Sequence, residues 1–291
     1  MGLRAKFNLA LLIAFVIGFG GSGVLLQRLF IENAREQVLQ NARIMMSSAD
    51  AVRHFTDDQI GPIVAAQNST RFIAASVPSF AAQTTFRGVQ ASFPDFTYRE
   101  PTLNPTNPTD RPADWERDYI QTFREKPGTT ELVGERDTPT GRSLSLARPI
   151  TINSEDCLSC HSTPSRAPAA MLATYGGANG FGWKLHETVG AQIVSVPMAL
   201  PLQQAHRTFI TFMAMLFGAF VLIFAILNVL LHFTVIKPVV RVSRIANAVS
   251  LGETDVEEYQ KKGNDEIAVL SASFTRMRRS LDSAMSMLER R

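Results

Sequence analysis

Cys157-Leu158-Ser159-Cys160-His161 decides how the rest of this 291-residue chain is read. On one helical turn, Cys157 and Cys160 stand three residues apart and Cys157 and His161 four apart, so two thiols and an imidazole can face one object. This is the attachment pattern of a c-type haem, in which the thiols add across two vinyl groups and the adjacent imidazole becomes an axial iron ligand. Pro164 should end the turn by Thr163.

Other uses of the two cysteines fit less well. A structural zinc site wants four Cys or His ligands, and no second Cys pair exists to complete one. A thioredoxin-like redox pair belongs at a strand-to-helix junction of a parallel sheet, which the flanking Asp156 and Ser162-Thr163-Pro164 do not resemble. A disulfide between neighbours so close would constrain little. Cys157 and Cys160 are also the only two cysteines in the chain. One covalently bound haem c is therefore expected, with His161 as proximal iron ligand.

Working outward, the motif lies between two long uncharged runs, Phe7 to Gln27 and Thr208 to Ile236, each long enough as a helix to cross a hydrocarbon core of roughly 30 Å. Arg4 and Lys6 precede the first run, and Lys237, Arg241 and Arg244 follow the second, which places both ends in the cytoplasm by the positive-inside bias. Residues 28–207 carry 17 Lys and Arg against 18 Asp and Glu, so the net charge of +3 is a topological signal and not a nucleic-acid footprint. A cleaved signal peptide is the competing reading of the first run, helped by Gly20-Gly21-Ser22-Gly23; against it, Val24-Leu25-Leu26 continues the apolar stretch. The expected organisation is a cytoplasmic N-terminus (1–6), a first membrane helix (7–27), a periplasmic haem domain (28–207), a second membrane helix (208–236) and a cytoplasmic tail (237–291), all in a bacterial inner membrane.

Within 28–207, Val38, Ala42, Met45, Ala49 and Val52 mark one apolar helix stripe. The pattern turns irregular after Pro62. Phe93 to Pro112, with five prolines, reads as a non-regular loop. Glu131 to Ile152 reads as antiparallel strands joined by a hairpin, and Val189 to Val196 as another strand. The expected class is α+β, an antiparallel sheet with flanking helices. In the tail, Ile267, Leu270, Phe274, Met277, Leu281, Ala284 and Leu288 step by three and four like a coiled-coil seam, behind a shorter stripe at Val242, Ile245 and Val249.

Two family resemblances rest on these residues. Residues 237–289, with Pro238 after the span, Gly252 in the connector and Asp265-Glu266-Ile267 opening the second helix, resemble a HAMP linker. Residues from about 30 to 200 resemble the c-haem, PAS-like sensor domains of bacterial signalling proteins. The matching stretches are Ser76 to Ala82, Tyr98-Arg99-Glu100, Asn104 to Pro108, Cys157 to Pro168, Gly180-Phe181-Gly182-Trp183 and Gly190-Ala191-Gln192. The resemblance implies a PAS-like sheet domain between two membrane helices and a HAMP parallel coiled coil in a homodimer. It also implies a cytoplasmic signalling partner in trans, such as a kinase or chemoreceptor, since no output domain follows within this sequence; the other reading is that the sequence is a piece of a longer one.

The distal side of the iron is read from the residues alone. His54 is the leading candidate for distal ligand, although Arg43, Ser47, Asp50 and His54 form a polar stripe that a solvent-facing histidine would also suit. Met45, Met46, Met171 and Met198 are thioether alternatives, His186 and His206 weaker ones, and His232 falls in a span. Arg99, Arg142, Arg148 and Arg166 are available for the propionates. Two functions follow: a sensor of redox state or of a diatomic gas that signals through the tail, or a membrane-anchored periplasmic electron carrier. No acid–base set is visible, so enzymatic activity is not expected. The coiled-coil tail favours the sensor, because an electron carrier needs only an anchor.

Overall fold

The structure, a computed structural model, describes residues 2–68, 71–253 and 256–289. The chain divides into two units, Gln27–Thr208 and Met1–Leu26 with Phe209–Arg291.

Gln27–Thr208 is an α+β unit around a four-stranded antiparallel sheet of order β1-β4-β3-β2. The strands are β1 (Thr97–Arg99), β2 (Leu132–Thr138), β3 (Gly141–Thr151) and β4 (Thr188–Pro197). β2 and β3 form the hairpin expected from the sequence, closing at Thr138 opposite Gly141. β4 pairs with β3 on one side and β1 on the other.

Strand alternation divides the core into two layers. Leu144, Leu146, Val194 and Val196 face α1 (Leu3–Phe55) and α3 (Pro78–Ser92), meeting Val38, Ala42, Met46, Ala49, Ala82 and Phe86. Ala147, Ala191 and Ile193 face α4 (Asp114–Glu125) and meet Ile120 and Phe123. Each large side chain buried here contributes roughly 1.5–3 kcal/mol. A third cluster closes the end of the sheet, where Ile152 and Val189 pack against Leu158 of α5 (Glu155–His161).

Three details differ from the sequence reading. The buried positions of α1 are Ala34, Val38, Ala42, Met46 and Ala49, so Met46 replaces Met45 at the centre of the stripe. A helix lying across a sheet follows its four-residue ridge, and the contact line drifts off a mixed three-and-four pattern. The irregular stretch after Pro62 holds α2 (Gly61–Asn68) and α3, the latter opening on Pro78 in the first turn, where a missing N–H is harmless. The proline-rich loop carries β1, only three residues long between Pro94 and Pro101 and too short to show a period.

In the other unit, the first part of α1 meets α7 (Ala199–Leu231), with Phe15 stacked on Phe220 at 3.5 Å. Both helices are long and apolar enough to cross a membrane. α7 continues through a π-helical turn at His232–Ile236 into α8 (Lys237–Ser250), and α9 (Glu266–Glu289) follows a connector. Gly252 adopts φ +86° in that connector, a conformation that favours glycine. The Asp265 carboxylate caps α9 by accepting from the Ala268 N–H at 2.8 Å.

α8 buries Val242 and Ile245, while α9 buries Ala268, Ser271 and Thr275. The expected seam is a different face of α9: Leu270, Met277 and Leu281 stay about half exposed, at 49%, 61% and 52%. The Leu288 side chain lies outside the described residues.

Candidate functional site

α5 is a two-turn helix opened by Ser154, whose hydroxyl accepts from the Asp156 N–H at 3.1 Å. It ends at His161, in keeping with a stop before Pro164. The two cysteines form no disulfide, Cys157 exposed and Cys160 half-buried. Among the described residues, no three His, Cys, Asp or Glu side chains group as a self-sufficient metal cage.

His161 is held from two sides. Its Nδ1 lies 2.8 Å from the carbonyl oxygen of Gly180. A carbonyl only accepts, so Nδ1 carries the proton and the other ring nitrogen keeps its lone pair. Trp183 stacks on the imidazole, 4.0 Å between centroids and 12° from parallel. Burial lowers the His161 pKa, and the Gly180 carbonyl offsets part of that. The result is a neutral, oriented imidazole, the form that binds metal.

Two sequence motifs far apart in the chain build this grip. Asn104 accepts from the Gly180 N–H at 3.2 Å through its side-chain oxygen and donates to the Phe181 carbonyl at 3.1 Å. Gly180 adopts φ +84°, and a Cβ there would overlap the Thr106 hydroxyl and lie 2.8 Å from the Thr106 Cα. Asn104 to Pro108 and Gly180 to Trp183 are thus the two halves of one bracket around His161.

The bracket opens on a cavity of about 630 Å³, lined by Cys157, Cys160, His161 and His54 together with Trp183, Met171 and other side chains. All four predicted site residues therefore face one space. His54 stands on the last turn of α1, exposed, just before a π-helical turn at Thr56–Ile60. Its polar stripe is not plain solvent surface: Arg43 pairs with Glu131 at 3.0 Å, and Asp50 meets Arg148 at 3.3 Å and Gln192 at 2.9 Å. Of the thioether alternatives, Met171 is buried on the cavity wall, whereas Met46 and Met198 lie in the core and Met45 packs against it. His186 and His206 do not line the cavity.

The arginines differ from the sequence reading. Arg99, Arg142, Arg148 and Arg166 are absent from the cavity lining, which instead carries Arg53 and Arg87. Arg99, Arg142 and Arg148 are committed to Glu116, Glu135 and the Asp50–Glu131 pair. Arg53 pairs with Glu100, a carboxylate only 2% exposed, and the Tyr98 hydroxyl donates to the other Glu100 oxygen at 2.7 Å. Burial works against the Arg53 charge, but Glu100, Tyr98 and Asp50 together outweigh it and the pKa rises. Burial, then the neighbouring Glu100 carboxylate, pushes the Tyr98 hydroxyl far above its usual range. Burial also raises the Asp110 carboxyl, on the same cavity wall. Sequence reasoning missed this Tyr98–Glu100–Arg53 lock, although Tyr98-Arg99-Glu100 was among the motifs it singled out.

Fold and site together define a class: an α+β domain with two thiols and a fixed imidazole on one cavity wall, joined to two long apolar helices. The chain belongs to the Tll0287-like family, whose model matches residues 31–197. Among solved structures, the crystal structure of the cyanobacterial haem-protein Tll0287 is similar at 16% identity, covering 55% of this chain and 95% of that one, with a TM-score of 0.42. No curated protein matches.

Proposed function

We propose that the chain is a membrane-bound haem c sensor of redox state or a diatomic gas, signalling through a HAMP-like coiled coil. The observation that carries the haem assignment is the convergence of Cys157, Cys160 and a neutral, Nδ1-anchored His161 on one cavity. Its volume of about 630 Å³ falls in the range of roughly 300–1,000 Å³ usual for cofactor sites. The family is named for Tll0287, itself described as a haem-protein, which supports the same reading.

In this reading Cys157 and Cys160 hold the macrocycle as thioethers and His161 gives the proximal nitrogen. Trp183 and the Gly180 carbonyl keep that ring from rotating. His54 is the candidate distal ligand, with Met171 the alternative on the same cavity. Arg53 and Arg87 line the same cavity and would be the cations available to the propionates, Arg53 while also paired with Glu100. A haem bound here supplies a one-electron couple and, if its sixth position is open or weakly held, a binding place for NO, CO or O₂.

The chain's own contribution to signalling is continuity. α1 runs without a break from Leu3 to Phe55, so the first span and His54 share one helix. β4 passes through Pro197 into α7, the second span. A local change at the cavity can therefore bias both helices, and a bistable coiled coil in a homodimer can convert that bias into an output. The apolar seam left exposed on α9 supports the dimer. A cytoplasmic partner such as a kinase or chemoreceptor would read it, with the haem domain periplasmic and the α8–α9 tail cytoplasmic.

Spectroscopy of the purified chain tests this. The expected result is a haem that resists acid–acetone extraction in the native protein but is extracted from the Cys157→Ser/Cys160→Ser variant. His54→Ala should change the low-spin spectrum and admit CO. A haem spectrum unchanged by His54→Ala removes His54, and absence of haem from the protein made with a c-type maturation system sinks the assignment. A low-spin haem untouched by CO or NO, whose redox state leaves α9 crosslinking unaltered, would favour electron transfer instead.

A further inference from the structure

The face of the sheet opposite α1 holds a second cavity, about 230 Å³, between β1, β2, β4 and the first turn of α4. It shares no lining residue with the first. Glu116 stands in it, 1% exposed. One carboxylate oxygen accepts from the Ala113 N–H at 2.8 Å and closes the helix cap. The other, Oε1, has no hydrogen-bond partner among the described residues; the cation it faces is Arg99, with Nε at 3.5 Å. Arg99 already donates through Nη2 to the carbonyls of Thr109 and Arg111.

Arg136 lies on the same wall. Its guanidinium sits over the Trp115 ring at 4.0 Å, and its buried Nε also lacks a hydrogen-bond partner among the described residues. Buried polar atoms are nearly always paired, so two orphans in one cavity call for an occupant. They are of opposite sense: Glu116 Oε1 needs a donor, and Arg136 Nε needs an acceptor. Charge adds a further condition. Arg99 is balanced by Glu116, whereas Arg136 has an aromatic face and no carboxylate partner among the described residues, which leaves one positive charge for a ligand to neutralise.

We infer that this cavity binds a small monocarboxylate bearing a hydroxyl group next to the acid, of the 2-hydroxy acid class. The carboxylate meets Arg136 against Trp115, and the adjacent O–H donates to Glu116 Oε1. A volume of about 230 Å³ equals roughly eight water molecules at ~30 Å³ each, which suits a compact acid. The Thr97 and Ser195 hydroxyls on the lining can serve the remaining polar atoms.

Isothermal titration calorimetry on the full detergent-solubilised chain tests this with L-lactate, L-alanine, acetate and methylamine. Saturable binding of L-lactate is expected, at least about tenfold tighter than acetate, which brings no donor, than methylamine, which brings no carboxylate, and than L-alanine, whose ammonium restores the positive charge. Arg136→Met should abolish binding, and Arg136→Lys should weaken it by about tenfold through loss of the planar fork. Glu116→Gln, which keeps an acceptor for the Ala113 N–H but can turn an N–H₂ toward the cavity, should also lose it and covers the case in which Arg136→Met fails to fold. No saturable binding of L-lactate, acetate or L-alanine binding as tightly, or undiminished binding by folded Arg136→Met or Glu116→Gln overturns the inference and leaves a site filled by water.

Discussion

His161 shows how little freedom the site leaves a single residue. Its Nδ1 proton is committed to the Gly180 carbonyl, and the Gly180 backbone is held by Asn104. Substituting Gly180 by Ala adds a methyl group against Thr106 in a left-handed backbone conformation. We expect a loss of about 1–3 kcal/mol, the usual cost of a side chain at a strained φ, read as a lower melting midpoint. If haem is bound, the axial imidazole should also lose its fixed orientation, and the spectrum should broaden toward mixed spin. A variant with native stability and spectrum would show that the Asn104–Gly180 bracket does not position His161. The motif around Cys157 was legible because its chemistry is local, within one turn. The bracket was not: Asn104 and Gly180 are 76 residues apart, and nothing in either stretch names the other.

At the scale of elements, α1 carries three jobs on one helix. It buries an apolar stripe, pairs with the sheet through Asp50 and Arg53, and delivers His54 to the cavity. The Arg53–Glu100 pair fixes its last turn to the end of β1. Removing Arg53 alone would leave the Glu100 carboxylate buried without its cation. Arg53→Met should therefore cost about 3 kcal/mol, somewhat less than a fully buried pair because the Arg53 side chain is 27% exposed. The double variant Arg53→Met/Glu100→Met should recover most of that loss in urea unfolding, since an apolar pair needs no compensation. Equal stability of the single variant and the native chain would mean that the pair does not anchor α1. The stripe, the hairpin and β4 were readable from period alone. β1 was not, because three residues between prolines carry no period, and its strand character comes from hydrogen bonds to β4.

For the whole molecule, the α8–α9 tail carries an apolar seam that one chain leaves uncovered. Within one chain, among the described residues, α9 buries a small face, Ala268, Ser271 and Thr275, and leaves Leu270, Met277 and Leu281 about half exposed. A parallel dimer would cover that seam. Cysteines placed singly at Met277 or Leu281 should crosslink between copies in membranes, and at rates that change with the redox state of the outer unit if the tail carries a signal; no crosslink at either position in any state would exclude the parallel pairing. The sequence by itself determined what depends on near neighbours and on composition: the thiol–thiol–imidazole turn, two apolar runs long enough to span a bilayer, strand and helix periods, and the α+β class. Only the tertiary structure decided which distant residues share a space. It brought His54 to the cavity, excluded the expected arginines from it in favour of Arg53 and Arg87, and buried Glu100 and Glu116 on opposite sides of one sheet. Periodicity states which side of an element is inward, but pairing register and side-chain reach, set by the whole packed core, choose what each inward residue meets.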